Sequence, residues 1–291
     1  MGLIDLHVHA GPSVMPRELD GVDMYKEAVA AGYSAYVIKD HYFPTMMSAE
    51  NISRHMDDGK CKVYGGLALN NSVGGLNLKA VDAACALGAK IIWMPTVSAL
   101  RHKIMHSGHG LAFPGSKGMS IEEKTIMYLD DNGELQQEVK DILAYLSNKP
   151  DVILATGHGS RDEIDKLIHE AVNTYGLRRI LVNHPHYMIG ASIDDIEAWA
   201  GLGCYIELNA VAFVEGSRFK SNDISEAKEM IRRCGLQQIV IDSDYGQKNN
   251  GSPVDGVARL IEMLKSECSL TGDDIKRIGE TNPARLLGLE I

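Results

Sequence analysis

Histidines and aspartates of this 291-residue sequence stand at the ends of short apolar runs. They are His7 and His9 in the first run, His41 in the second, His158 in the fifth, His184 in the sixth, and Asp242 and Asp244 in the eighth. Neutral imidazole and carboxylate groups are suitable ligands for zinc and other divalent first-row ions. The pattern predicts a divalent metal site, with zinc as the expected ion and manganese, iron or nickel as alternatives.

The spacing within the first run supports a shared metal. Alternation along a strand sends Asp5, His7 and His9 to one side, so two imidazoles face the same point. A lone histidine at a strand end is usually just a hydrogen-bonded polar residue, and the HxH spacing alone is a weak signal. Burying the whole set without a metal would leave costly unsatisfied polar groups, so the set favours metal binding.

The elements that must position these residues are eight apolar runs separated mostly by amphipathic segments. The runs are Leu3–His9, Ala35–His41, Lys62–Asn70, Lys90–Thr96, Val152–His158, Ile180–His184, Cys204–Asn209 and Ile239–Asp244. This alternation predicts one domain, residues 1–291, folded as a distorted (β/α)8 TIM barrel whose C-terminal strand ends form the chemical face. The rival, an open doubly wound sheet, often has a glycine-rich loop after its first strand, and HAGPSVMP is not one.

A long insertion, Val97–Pro150, follows the fourth strand and interrupts the regular alternation of strands and helices. Its glycine-rich stretch is followed by a predicted hairpin in TIMYLDDNGEL and a helix over Glu134–Leu146. Long connections after barrel strands lie on the catalytic face, so the insertion is predicted to be a lid or pocket wall. Its histidines either meet an anionic substrate or belong to a solvated loop. They are His102, His106 and His109, of which His109 is a candidate substrate-binding residue.

Further polar residues of the second, sixth and seventh runs are candidate substrate or supporting groups. Lys39 and His41 share a strand face. His41 is either a metal ligand or a substrate hydrogen-bonding group, and Lys39 either supplies charge at the mouth or packs its stem and pairs with an acid. His186 is predicted to line the pocket, and Glu207 and Asn209 either contact substrate or complete the polar top layer.

The two acids of the eighth run share a face but differ in depth. Asp244 is nearer the C-terminal end, so it is the candidate for binding the metal or the attacking water. Asp242 is expected to hold a ligand histidine in place.

The composition of the chain limits the classes of partner that we expect it to bind. The net charge is −10 and no basic run exceeds Arg232–Arg233, which argues against nucleic acid and membrane surfaces. Five scattered cysteines without a CxxC motif favour a reducing compartment and argue against a cysteine metal site. No secretory signal pattern is present at the start. We expect a cytoplasmic protein acting on a small molecule, and a homo-oligomer is left open.

Several motifs together resemble the metal-dependent amidohydrolase superfamily. They are DLHVH at 5–9, ATGHG, VNHPH, DSDYG and the C-terminal ETNPARLLGL. The resemblance implies four histidine ligands and Asp244 as general base on a metal-activated water; the histidines would be His7, His9, His158 and His184. On the fourth strand, IIWMPT has no lysine or glutamate where two-metal members place a bridging group, which argues against the usual two-metal centre.

A second resemblance gives the alternative. VIKDHY and IELNA are similar to motifs of the PHP phosphoesterases, although the acid expected on the third strand is missing in YGGLALN. The preferred expectation is hydrolysis of an amide, lactone or ester of a small molecule by metal-activated water. The alternatives are a PHP-like phosphoesterase, an amidohydrolase-type decarboxylase and a non-catalytic metal- or ligand-binding barrel.

Overall fold

The computed structural model describes residues 2–56, 58–107, 119–121 and 123–290. Within them, eight parallel strands form one sheet in which each strand pairs with the next along the chain. The strands are β1 Ile4–Val8, β2 Ala35–Ile38, β3 Lys62–Ala68, β4 Ile91–Trp93, β5 Ile153–Ala155, β6 Ile180–Val182, β7 Tyr205–Asn209 and β8 Ile239–Asp242. Because β8 returns beside β1, the predicted (β/α)8 barrel is confirmed.

The junction of β8 and β1, which we call the seam, is joined just beyond the strands. The Asp244 amide donates to the His7 carbonyl at 2.8 Å, and the His9 amide donates to the Tyr245 carbonyl at 2.9 Å. The Ser243 hydroxyl also donates to the His7 carbonyl. These bonds fix the ends of the first and last strands against each other.

Helices separate the strands. They are α1 Gly21–Ala30, α2 Met46–Met56, α3 Leu78–Ala86, α4 Leu100–Ser107, α5 Gln137–Leu146, α6 Arg161–His169, α7 Ile193–Gly201, α8 Ala210–Phe213, α9 Ile224–Cys234, α10 Pro253–Cys268, α11 Gly272–Lys276 and α12 Asn282–Leu287. Side chains at the N-termini explain several of the starts. At α6, the Glu163 amide donates to the Ser160 hydroxyl and the Ser160 amide donates to the Glu163 carboxylate. None of the described helices is long and apolar enough to cross a membrane.

Alternation along the strands separates an apolar interior from a polar mouth. Val37 precedes Lys39 by two residues, and Val240 precedes Asp242 in the same way, so each pair shares a strand face. All four side chains are buried. The barrel is therefore filled by apolar groups up to the level at which polar groups begin.

The strands end earlier than predicted. His9, His41, His158, His184 and Asp244 follow their strands by one to three residues. They lie where the chain turns out of the barrel, and His184 and Asp244 adopt left-handed backbone conformations with φ of 45° and 49°. Such conformations are uncommon outside glycine and cluster at functional sites.

The insertion differs from its predicted outline. Helix α4 was not expected, α5 begins at Gln137 instead of Glu134, and the predicted hairpin is a turn closed by one bridge between Leu129 and Leu135. The glycine-rich stretch 108–118, with His109, lies outside the described residues. Helix α4 contacts the mouth, where the Arg101 Nε donates to the Met188 carbonyl at 3.0 Å.

Gly246 gives a first testable prediction. Its φ is 109°, and a Cβ atom there would lie 1.7 Å from the His9 carbonyl oxygen. Gly246→Ala should therefore lower the free energy of unfolding by on the order of 3 kcal/mol or more, measured by urea denaturation. Gly216→Ala is the control, because Gly216 also has a positive φ but no atom within 4 Å of its Cβ position. Equal losses in the two variants would contradict the argument.

Candidate metal centre

Three imidazoles surround one carboxylate at the barrel mouth. The Asp244 Oδ1 lies 3.1 Å from His7 Nε2 and 3.0 Å from His9 Nε2. The Asp244 Oδ2 lies 3.7 Å from His184 Nε2. Ligand atoms of His7, His184 and Asp244 all lie within 4.8 Å of one another. Nitrogen and oxygen atoms converging in this way fit a divalent cation.

The protonation states suit such an ion. Burial by itself would raise the pKa of Asp244, but His7 and then His9 hold this pKa well below its usual value. Burial, and next the charge of Arg17, lower the pKa of His9 to about 3, and burial lowers the pKa of His184. Burial is the largest influence on His7 and opposes its protonation, but the Asp244 and Glu207 carboxylates together outweigh it and raise this pKa. A cation would therefore compete with a proton at His7.

Each of the three histidines is held through its other ring nitrogen. The contacts are His7 Nδ1–Glu207 Oε1 at 2.9 Å, His9 Nδ1–Lys39 O at 3.0 Å and His184 Nδ1–Asn209 Oδ1 at 2.6 Å. An Nδ1–H group that donates to oxygen leaves the Nε2 lone pair for a metal. Three acceptors thus orient three Nε2 atoms towards Asp244.

Asp242 lies behind this arrangement. Its Oδ1 accepts a hydrogen bond from the Asn209 side-chain amide at 2.5 Å. Burial, and then the charge of Glu207, raise the pKa of Asp242 well above its usual value. Although His7, Glu207 and Asp242 also form a compact group, His7 faces it with the nitrogen that already contacts Glu207. We therefore interpret Asp242 as a supporting residue and not as a ligand.

Lys39 extends into the centre. Its Nζ lies 2.8 Å from His7 Nε2 and 5.4 Å from the centre of the Trp93 ring. The side chain is buried, and burial lowers the pKa of the ammonium group. In the described part of the chain its head contacts an imidazole instead of the acid considered from the sequence.

A second histidine group adjoins the first. His158 Nδ1 lies 2.8 Å from His102 Nδ1, and His158 Nε2 is buried without a hydrogen-bond partner among the described residues. His41 Nδ1 lies 2.9 Å from the Thr96 hydroxyl. The His158 ring is centred 5.2 Å from that of His184. Burial is the main reason why the pKa values of His41, His102 and His158 lie well below normal, so all three rings are neutral.

Sequence reasoning considered His102 as a residue that either meets an anionic substrate or belongs to a solvated loop, and not as a neighbour of His158. The residue lies on α4, and the four-residue spacing from His102 to His106 places the two rings 4.3 Å apart on one helix face. That spacing was the available signal. The spacing was not interpreted as helical because the glycines that follow it suggested a loop.

A cavity that opens to solvent lies above the centre. His186 lines it, with a half-exposed side chain whose Nδ1 is 3.5 Å from a Glu226 carboxylate oxygen. Arg17, which sequence reasoning did not identify, also lines it.

Comparison of sequences gives one family. The sequence model described as "Family of unknown function (DUF6282)" matches residues 2–207. None of the curated proteins compared with the chain matches it.

Solved structures share the fold across nearly the whole chain. An amidohydrolase from Pseudomonas aeruginosa has a TM-score of 0.65 at 13% identity and covers 98% of this chain and 95% of its own. A protein described as probable 2-pyrone-4,6-dicarboxylic acid hydrolase from Acinetobacter baumannii has a TM-score of 0.62 at 12% identity, covering 99% and 100%. The N-acetyl-D-glucosamine-6-phosphate deacetylase from Mycobacterium smegmatis has a TM-score of 0.59 at 14% identity, covering 99% and 76%. The resemblance noted from the motifs is thus confirmed at the level of the fold.

Proposed function

The chain belongs to the DUF6282 family, and we propose that it is a metal-dependent hydrolase that cleaves an amide, lactone or ester bond of a small molecule. The supporting observation is the orientation of three Nε2 atoms towards Asp244 by three separate Nδ1 contacts. Support also comes from the printed names of similar structures, which describe hydrolases and a deacetylase.

The ligands we propose are His7, His9, His184 and Asp244. His158 and His41 are proposed as further ligands from the adjoining group, because the buried His158 Nε2 otherwise lacks a partner among the described residues. Zinc is the proposed ion, since imidazole and carboxylate suit it. When bound, a divalent ion lowers the pKa of a water molecule towards about 7 and polarises a carbonyl oxygen.

Asp244 is proposed to move the proton. Its side chain is 16% exposed whereas those of His7 and His9 are almost fully buried, so it is the acid of this group that faces the cavity. Its depressed pKa keeps it ionised, so it presents a free carboxylate oxygen to a water molecule in the cavity. It then returns the proton to the leaving group.

The surrounding residues keep this arrangement in place. Glu207 and Asn209 orient His7 and His184, and Asp242 supports Asn209. We further propose a cytoplasmic location, since the five cysteines are free thiols.

The function is tested by a hydrolysis screen. Protein loaded with zinc, manganese, iron or nickel would be incubated with small amides, lactones, esters, phosphate esters and carboxylic acids. We expect turnover of a carbonyl substrate that disappears on chelation and returns on metal addition. Turnover of phosphate esters alone, or decarboxylation alone, would replace this proposal with one of the two enzymatic alternatives. Metal binding without turnover of any class would favour a binding protein.

His102 gives a second prediction. Because it contacts His158 Nδ1, removing it should release the orientation of the His158 ring. We expect His102→Ala to weaken metal affinity by about 10- to 100-fold, the usual effect of losing a partner that orients a ligand. Competition with a chromophoric chelator would measure the affinity. His186→Ala is the control, and an affinity loss no larger than in that control would rule out the assigned role.

A further inference from the structure

Arg17 is a buried cation with unused hydrogen-bonding capacity. It lies in the loop between β1 and α1, and its side chain is 3% exposed. Its Nη2 donates to the Asp40 Oδ2 at 3.3 Å, which is its only hydrogen bond to a described residue. Its Nε is buried without a described partner. A guanidinium has five N–H donors, and leaving them unpaired away from water is costly.

Asp40 binds Arg17 and also accepts hydrogen bonds from other groups. Its Oδ1 accepts hydrogen bonds from the backbone amides of Tyr42 and Phe43, at 2.8 and 3.1 Å. Its Oδ2 accepts from the Ser13 hydroxyl as well as from Arg17. The carboxylate is therefore fixed by the loop after β2, and it fixes one end of the guanidinium while the other donors stay available.

Arg17 lines the cavity at the metal centre. His9, His41 and Asp244 line the same cavity. A group bound to Arg17 would thus sit beside the proposed reacting atoms.

Another part of the cavity wall is apolar. The side chains there come after β6 and β7 in the chain. They are Met188, Val211, Phe213, Phe219 and Met230. A ligand that spans the cavity therefore meets a cation near β1 and an apolar surface near β7.

We propose that the substrate carries a carboxylate group that Arg17 binds, with an apolar body directed towards Phe213 and Met188. This inference rests on the proposed hydrolase function and names its substrate class: esters, amides or lactones of small carboxylic acids that retain a free carboxylate. A carboxylate matches the planar fork of one guanidinium. A phosphate dianion fits less well, because Asp40 and Asp244 add negative charge nearby.

Binding of matched probes tests the proposal. Hydrocinnamate, hydrocinnamyl alcohol and hydrocinnamyl phosphate share one apolar body and differ in the polar group. Calorimetry on the metal-loaded protein should show hydrocinnamate binding at least about tenfold more tightly than the alcohol, the value of one charged hydrogen-bonded contact. It should also bind more tightly than the phosphate. Equal affinities for acid and alcohol, or a preference for the phosphate, would overturn the inference.

Variants of Arg17 distinguish binding of the carboxylate by Arg17 from binding of the carboxylate by the metal. In the Arg17→Gln, Asp40→Asn double variant, which removes both charges of the pair, the preference for the acid should vanish. Arg17→Lys, which keeps the charge without the fork, should retain part of it. Arg161→Gln is the control, since Arg161 pairs with Asp195 on the surface and should leave the preference unchanged. An undiminished preference in the Arg17→Gln, Asp40→Asn double variant would assign the carboxylate to the metal and overturn the inference.

The two proposals fail in different ways. If acid preference is present but no metal-dependent hydrolysis is found, the hydrolase proposal fails and the anion site stands. If metal-dependent hydrolysis is found and kcat/KM is the same for a substrate with a free carboxylate and for its methyl ester, the Arg17 inference fails alone.

Discussion

Asp244→Asn is expected to lower turnover by about two to four powers of ten, the usual contribution of a positioned general base. The amide is nearly isosteric with the carboxylate, so the backbone bonds of the seam should keep the turn in place. An amide cannot accept a proton from water at neutral pH, and this is the physical reason for the loss. Initial rates with the substrate found in the screen, beside metal content of the same preparation, would measure the effect.

Asp242→Asn is the matched comparison for this variant. Asp242 contacts Asn209 and not the imidazole nitrogens that face the cavity, so its loss should act mainly through metal affinity. Saturating metal should therefore restore most of the turnover of Asp242→Asn and little of that of Asp244→Asn. Near wild-type turnover of Asp244→Asn would remove Asp244 from the proton transfer, and the reverse ranking of the two variants would move that role to Asp242.

The His7→Ala, His9→Ala double variant is expected to lose stoichiometric metal. Both Nε2 atoms lie within about 3 Å of the same Asp244 oxygen, so the variant removes two ligands from one point. His184 and Asp244 would remain, with His158 and His41 from the adjoining group, but the two imidazoles closest to Asp244 would be gone, and we expect the ion to bind too weakly to stay through dialysis. Elemental analysis after dialysis, with metal counted per chain, is the measurement.

A matched control removes histidines that do not face Asp244. His186→Ala, His55→Ala, in which His55 is an exposed residue of α2, has the same number of imidazoles deleted, and it should keep the wild-type metal content. Circular dichroism of both variants shows whether the barrel has folded. One metal per chain in a folded His7→Ala, His9→Ala protein would refute the ligand assignment.

The sequence predicts the barrel well because its signal is repeated. Eight apolar runs in alternation with helices give many independent observations of one architecture, and the structure has all eight strands in order. The approximate position of the site follows for the same reason, since residues such as His158 and Asp244 come directly after the runs. Their side chains converge although the strands themselves end earlier.

The site's finer features depend on contacts that no local pattern contains. The contact between Lys39 and His7 joins two strands, and its geometry depends on barrel stagger. The contact between His102 and His158 depends on how α4 packs over the mouth. Arg17 lies in an irregular loop, where periodicity gives no information about the direction of a side chain. These contacts arise from tertiary structure, so reasoning from the sequence missed them or left the contact partners undecided.

The seam gives the proposed ion a second consequence. His7 and His9 belong to the N-terminal side of the seam and Asp244 to the C-terminal side, so one ion held by all three would cross-link the first and last strands of the sheet. Anything that binds the folded chain and not the unfolded one stabilises it by mass action, and at 100 times Kd the gain is about 2.7 kcal/mol. Metal availability would then set the resistance of the barrel to opening between its first and last strands, and a cell short of the metal would hold a chain that is more readily degraded as well as inactive.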